Sequence, residues 1–248
     1  VCGDIKLVVR DLAGAWRHTP AGRDAWLEHA RGLAAASLGF WNQQVDDHRG
    51  SALHTGAVAR ELVRIATERA GDRITWVADG GDALSWALAF CSAQAPGRLL
   101  TTTTALGTLG VGMPFALAAQ AARPDDRVVL FVGDGSFGLS AMELDTAVRH
   151  KLPLTVVVSN NAGWGDVRHE QDAAFGEGRH VASELQQTRY DRLGEVFGGH
   201  GEHVETLEEL GPALDRSFES GTCSVIDVAT DPAVLSELLR MVASLGLM

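Results

Sequence analysis

From residue 54 onward the apolar positions follow two alternating rhythms. Stretches with helical spacing, at 58–70, 82–91, 110–122, 141–150 and 207–218, alternate with short runs that are apolar at nearly every position. Those runs are 74–78, 98–101, 127–132, 154–159 and 224–229, and the spacing predicts strands over them. A further helix is expected near 189–197, and a terminal one after Pro232. Strands apolar on both sides and alternating with helices indicate an α/β fold, a parallel sheet covered by helices on both faces. Two capping boxes, Ser140 with Glu143 and Thr206 with Glu209, are expected to start helices.

Residues 1–52 lack the strand rhythm and read as helical, apart from 4–12, which looks like a strand end running into a helix. The chain opens at Val1 in the middle of a pattern. The expected organisation is therefore a remnant of a preceding domain plus linker over 1–52, followed by one sheet domain over 53–248.

Composition narrows the function. Lys and Arg total 21 against 32 Asp and Glu, a net charge of −11, which is the wrong sign for a nucleic-acid partner. Three widely spaced cysteines, Cys2, Cys91 and Cys223, suggest neither a disulfide framework nor a zinc site, and a cytoplasmic location is expected. Residues 99–122 carry no charge, but five threonines, three glycines and Pro114 make a loop and a buried helix the expected reading, not a membrane span.

The chemistry-bearing residues follow the strands. After 127–132 comes Gly133-Asp134-Gly135-Ser136, and after 154–159 comes Asn160-Asn161-Ala162-Gly163. The 24 residues between Gly135 and Asn160 suffice for one crossover, which brings both loops to the same sheet edge. A carboxylate, a carboxamide and a backbone carbonyl meeting there are hard oxygen donors, suited to Mg2+ or Ca2+ shared with phosphate oxygens. Free N–H groups beside Gly133 and Gly135 suit phosphate. A second loop, Gly107-Thr108-Leu109-Gly110-Val111-Gly112, lacks the Gly-x-Gly-x-x-Gly dinucleotide spacing, which disfavours a nicotinamide oxidoreductase. A third, Asp79-Gly80-Gly81-Asp82-Ala83, stands between a strand and a helix start, where backbone amides favour an anion. A fourth, Trp164-Gly165-Asp166-Val167-Arg168-His169, directly follows the asparagines and reads either as a surface helix or as a substrate wall.

Gly-Asp-Gly followed at this distance by Asn-Asn resembles the signature of thiamine diphosphate enzymes. Over about residues 54–230 the chain resembles the diphosphate-binding domain of the acetolactate synthase, benzaldehyde lyase and 2-hydroxyacyl-CoA lyase group. The resemblance implies thiamine diphosphate and Mg2+ as cofactors, with Asp134, Asn161 and the Gly163 carbonyl on the metal. It implies cofactor contacts from Gly80, Gly81, Asp82, Ala83, Gly107, Leu109, Gly133, Gly135, Ser136, Trp164 and Gly165, with Leu109 bending the cofactor. Asp82 stands where a neutral polar residue is usual. Trp164, Val167 and His169 would face a small-molecule substrate, with a CoA thioester among the candidates, and Val167 replaces the glutamate of pyruvate-type decarboxylases. The implied reaction is carbon–carbon lysis or ligation on 2-hydroxyacyl or 2-oxo acid substrates. The activating glutamate is expected from a separate pyrimidine-binding domain, so no catalytic residue is assigned to this chain, and a homo- or hetero-oligomer is implied. The alternative is a non-catalytic subunit that binds cofactor or a partner.

Overall fold

The computed structural model describes residues 4–16, 22–101 and 107–236. Residues 1–43 and 44–248 form two compact units. The first holds α1 (Ile5–Ala15) and most of α2 (Arg23–Asp46), and the chain passes to the second unit within α2. Residues 4–12 are not a strand end. Asp4 caps α1, its carboxylate accepting from the amides of Lys6 (2.9 Å) and Leu7 (3.2 Å). A cap of this kind commits the following residues to helix despite their β-branched content.

The second unit contains a six-stranded, wholly parallel sheet in the order β2-β1-β3-β4-β6-β5. Its strands are β1 (Ile74–Asp79), β2 (Leu99–Thr101), β3 (Arg127–Gly133), β4 (Thr155–Asn160), β5 (His200–Val204) and β6 (Ser224–Ala229). The helices are α3 (Thr55–Ala70), α4 (Asp82–Phe90), α5 (Gly112–Ala122), α6 (Asp134–Ser140), α7 (Glu143–Arg149), α8 (Gly165–Phe175), α9 (Asp191–Val196) and α10 (Leu207–Glu219). Alternate strand residues point to opposite faces. Val128, Leu130, Val132, Val156, Val158 and Val225 pack with Met113 of α5, Phe137 of α6 and Leu144 of α7 in one buried cluster. Trp76, Val129, Phe131, Val157 and Ile226 point the other way, and α3, α4 and α10 cover that face. Both faces are thus shielded, which is why these strands carry no polar rhythm.

Two further expectations change. Ser140 ends α6, and α7 starts after Met142 with no side-chain cap, so the Ser140–Glu143 box does not form. The Thr206–Glu209 box does form, the Glu209 carboxylate accepting from the Thr206 amide at 3.1 Å. Residues 232–236 are turn and coil, and the rest of the expected terminal helix lies outside the described residues. Among the described residues no helix is long and apolar enough to cross a membrane.

Candidate functional site

β1 and β3 lie side by side, yet the chain leaves them toward opposite margins, through α4 to β2 and through α6 and α7 to β4. Loops that diverge from neighbouring carboxyl ends leave a crevice, the usual ligand position in an open parallel sheet. Here it is an open cleft. Gly80, Gly81, Asp82, Ala83, Leu109, Gly133, Asp134, Gly135, Ser136, Asn161, Gly163, Trp164, Gly165 and Val167 line it. The four sequence motifs therefore meet.

Glycine permits the close approaches. Gly80 has φ +117°, outside the range of ordinary L residues, and a β-carbon there would lie 3.4 Å from the Gly133 amide. Trp164 lies over Gly135, where a β-carbon would meet its ring at 2.8 Å. The Leu109 loop is tied down at two points just after Leu109. Ser136 Oγ accepts from the Gly110 amide at 3.0 Å, and Asp79 Oδ2 accepts from Gly112 at 2.8 Å.

Asp134 opens α6 and is 1% exposed. Its two oxygens accept from the amides of Gly135 (3.0 Å) and Gly163 (2.9 Å). Burial nevertheless raises its carboxyl to about 6, opposed by those amides and by Arg168. A carboxylate this desolvated gains from a cation beside it. The outer tip of the Asn161 carboxamide lies 3.3 Å from Asp134 Oδ1 and 3.0 Å from the Gly163 carbonyl oxygen. With nitrogen at that tip, both contacts are hydrogen bonds. With oxygen there, three oxygens converge, and a cation reconciles them. Adjacent ligands of an octahedral ion with bonds of about 2.1 Å are separated by about 3 Å. The donor set and its spacing fit Mg2+.

Two expected residues lie aside. Gly107 is exposed, at φ +54°, and does not line the cleft. His169 turns its Nε2 to the Pro232 carbonyl oxygen (3.2 Å) and its Nδ1 toward Asp82 (3.4 Å). Asp82 points back toward α8 and the chain after β6, its Oδ1 accepting from the Ser236 amide at 3.3 Å. Three lining residues were missed: Thr55, Ser159 and Asp166. Ser159 Oγ bonds Thr55 Oγ1 and Thr230 Oγ1, each at 3.2 Å, across elements far apart in sequence, so only the fold reveals this floor. Asp166 had a readable signal, a second acid at a helix start facing the Asp82 loop.

The sequence profile described as "Thiamine pyrophosphate enzyme, C-terminal TPP binding domain" matches residues 79–228. The acetolactate synthase large subunit IlvG of Mycobacterium tuberculosis is 39% identical over 240 residues, 94% of this chain and 41% of its own length. A 2-hydroxyacyl-CoA lyase of Oryza sativa is 42% identical over 139 residues, 54% of this chain and 24% of that protein. Among solved structures, the thiamine diphosphate-dependent 4-hydroxybenzoylformate decarboxylase of Rhodococcus jostii superposes with a TM-score of 0.65 at 24% identity. That match covers 74% of this chain and 34% of the other, and it shows the shared fold. The chain thus spans about two fifths or less of the length of these relatives. With the profile match spanning the four loops that meet at the cleft, the chain belongs to the thiamine pyrophosphate-dependent enzymes, through their C-terminal cofactor-binding domain.

Proposed function

We propose that this cleft binds thiamine diphosphate through Mg2+ held by Asp134, Asn161 and the Gly163 carbonyl. The reading rests on the tip of the Asn161 carboxamide lying 3.3 Å from Asp134 Oδ1 and 3.0 Å from the Gly163 carbonyl oxygen, with burial raising the Asp134 carboxyl to about 6. The amides that open α4 at Gly81–Ala83 and those of the Gly133–Gly135 turn would hold the diphosphate. Leu109, tied to Ser136 through Gly110, would brace the bend of the cofactor, and Trp164 and Val167 would wall the substrate side. When bound, thiamine diphosphate supplies a thiazolium ring that accepts the electron pair of a breaking carbon–carbon bond.

The substrate class we infer is a 2-oxo acid or 2-hydroxyacyl compound, lysed or ligated at the carbonyl-bearing carbon. Support comes from relatives named acetolactate synthase, 2-hydroxyacyl-CoA lyase and, in Alcaligenes xylosoxydans, sulfoacetaldehyde acetyltransferase. A pyrimidine-binding domain would complete the site and bring the activating glutamate. Leu139 and Met142, 59% and 72% exposed, give that domain an apolar surface, with Leu139 lying against Gly110.

Calorimetric titration with thiamine diphosphate, with and without Mg2+, tests the reading. Saturable, Mg2+-dependent binding that disappears in Asp134→Ala is the expected result. Equal affinity in that variant would overturn the metal assignment.

A further inference from the structure

At and beside the cleft stands a group of polar side chains that the proposed metal binding leaves unused. Asp82 opens α4, while Asp166 and His169 stand near the start of α8. Asp82 is only 7% exposed, and its Oδ2 has no hydrogen-bond partner; neither does His169 Nδ1, which faces it at 3.4 Å. The other ring nitrogen settles the tautomer. His169 Nε2 faces the Pro232 carbonyl oxygen, which can only accept, so Nε2 carries hydrogen. A neutral ring then turns a lone pair at Nδ1 toward an ionised Asp82, and lone pair meets lone pair. The two groups are complementary only with a proton between them.

Asp166 extends the group. Its Oδ1 is buried without a partner, and a β-carbon on Gly81 would collide with its carboxylate, so it stands against the loop that opens α4. Burial, then the charges of Asp82 and Glu170, raise its carboxyl to about 7, with His169 opposing. Asp134 lines the same cleft, and Arg168 donates to the Pro232 carbonyl oxygen at 2.8 Å.

We propose that Asp82, Asp166 and His169 form a proton-holding cluster that couples diphosphate binding in this cleft to proton uptake. The inference rests on the diphosphate reading given above. An anion seated on the amides of Gly81–Ala83 approaches both carboxylates, and a proton taken up by Asp166 removes one of the opposing charges. The helix starts alone favour an anion at any pH; the cluster makes that preference depend on pH.

The test is calorimetry of inorganic diphosphate with Mg2+ on the full chain, at pH 6 and pH 8.5. Two buffers of different ionisation enthalpy count the protons taken up. The wild type is expected to take up protons at pH 8.5. Asp166→Asn, nearly isosteric, should take up fewer and bind about tenfold more tightly at pH 8.5, with a smaller difference at pH 6. Asp82→Asn should also lower the proton count, because its amide can donate to His169 Nδ1 without an added proton. Proton counts and affinity ratios equal to wild type in both variants would overturn the cluster while leaving the diphosphate reading intact. No binding by any form at either pH would overturn the diphosphate reading, and the cluster with it.

Discussion

Two adjacent asparagines divide the work of one loop. Asn160 is fully buried and structural: its Nδ2 donates to Thr188 O (2.8 Å) and Asp227 Oδ1 (2.9 Å), and its Oδ1 accepts from Ala162 (3.2 Å). Those bonds hold Ala162 at φ +54°, a conformation uncommon for alanine, and so aim the Gly163 carbonyl. Asn161 turns into the cleft instead. Asn160→Ala should cost about 2–3 kcal/mol, since it leaves the buried Asp227 carboxylate short of a donor; urea unfolding measures this. Asn161→Ala should leave unfolding nearly unchanged and weaken Mg2+-dependent cofactor binding. Its effect should be smaller than that of Asp134→Ala, because water can replace a neutral ligand but not the charge. An unfolding loss in Asn161→Ala as large as in Asn160→Ala would contradict the division.

At the scale of elements, α3 shows how a site wall is fastened. His54 precedes the helix, its Nδ1 accepting from the Gly56 amide at 2.9 Å, and its ring meets Trp86 of α4 edge-on at 4.7 Å. Burial first, then His48, lowers its pKa to about 4. The unfolded chain therefore binds a proton below pH 6.5 that the folded chain refuses until about pH 4. The resulting stability is complete above 6.5 and is lost as pH falls toward 4, by about 3 kcal/mol at most. His54→Asn keeps the cap acceptor without the titration. Urea unfolding at pH 7 and 4.5 should show a smaller loss in the variant than in the wild type.

The elements also show where sequence is legible. β1, β3, β4 and β6 announce themselves because both faces are buried. β5 hides, because an edge strand can be His-Gly-Glu-His-Val: His200 pairs with Glu202 at 2.7 Å, and His203 meets Asp227 at 3.1 Å. α6 begins at Asp134, inside what reads as a glycine turn, and its first amides are left without helical partners. The proposed metal triad follows from strand-end spacing and the resemblance. The Asp82–His169 contact does not, because it depends on how two helix starts face each other.

For the molecule as a whole, the proposed function calls for a pyrimidine-binding domain to complete the open cleft. The 248-residue chain is expected to bind thiamine diphosphate with Mg2+ yet turn over 2-oxo acid substrates negligibly. Adding a pyrimidine-binding domain from the same gene or a partner should restore turnover; robust activity of the monomeric chain alone would refute this.

The sheet margins carry a separate consequence. One margin is β2, three residues long among the described residues, and the other is β5, lined by imidazole and carboxylate side chains and flanked by the Arg216–Glu202 pair. Neither offers the long, flat, apolar template on which another strand can be laid down. The β-branched runs of β3 and β4, which as free peptides would be strong fibril formers, stay in the middle of the sheet. Colloidal behaviour should therefore track global unfolding: the folded chain should resist seeding by preformed fibrils until the temperature or denaturant that exposes β3 and β4.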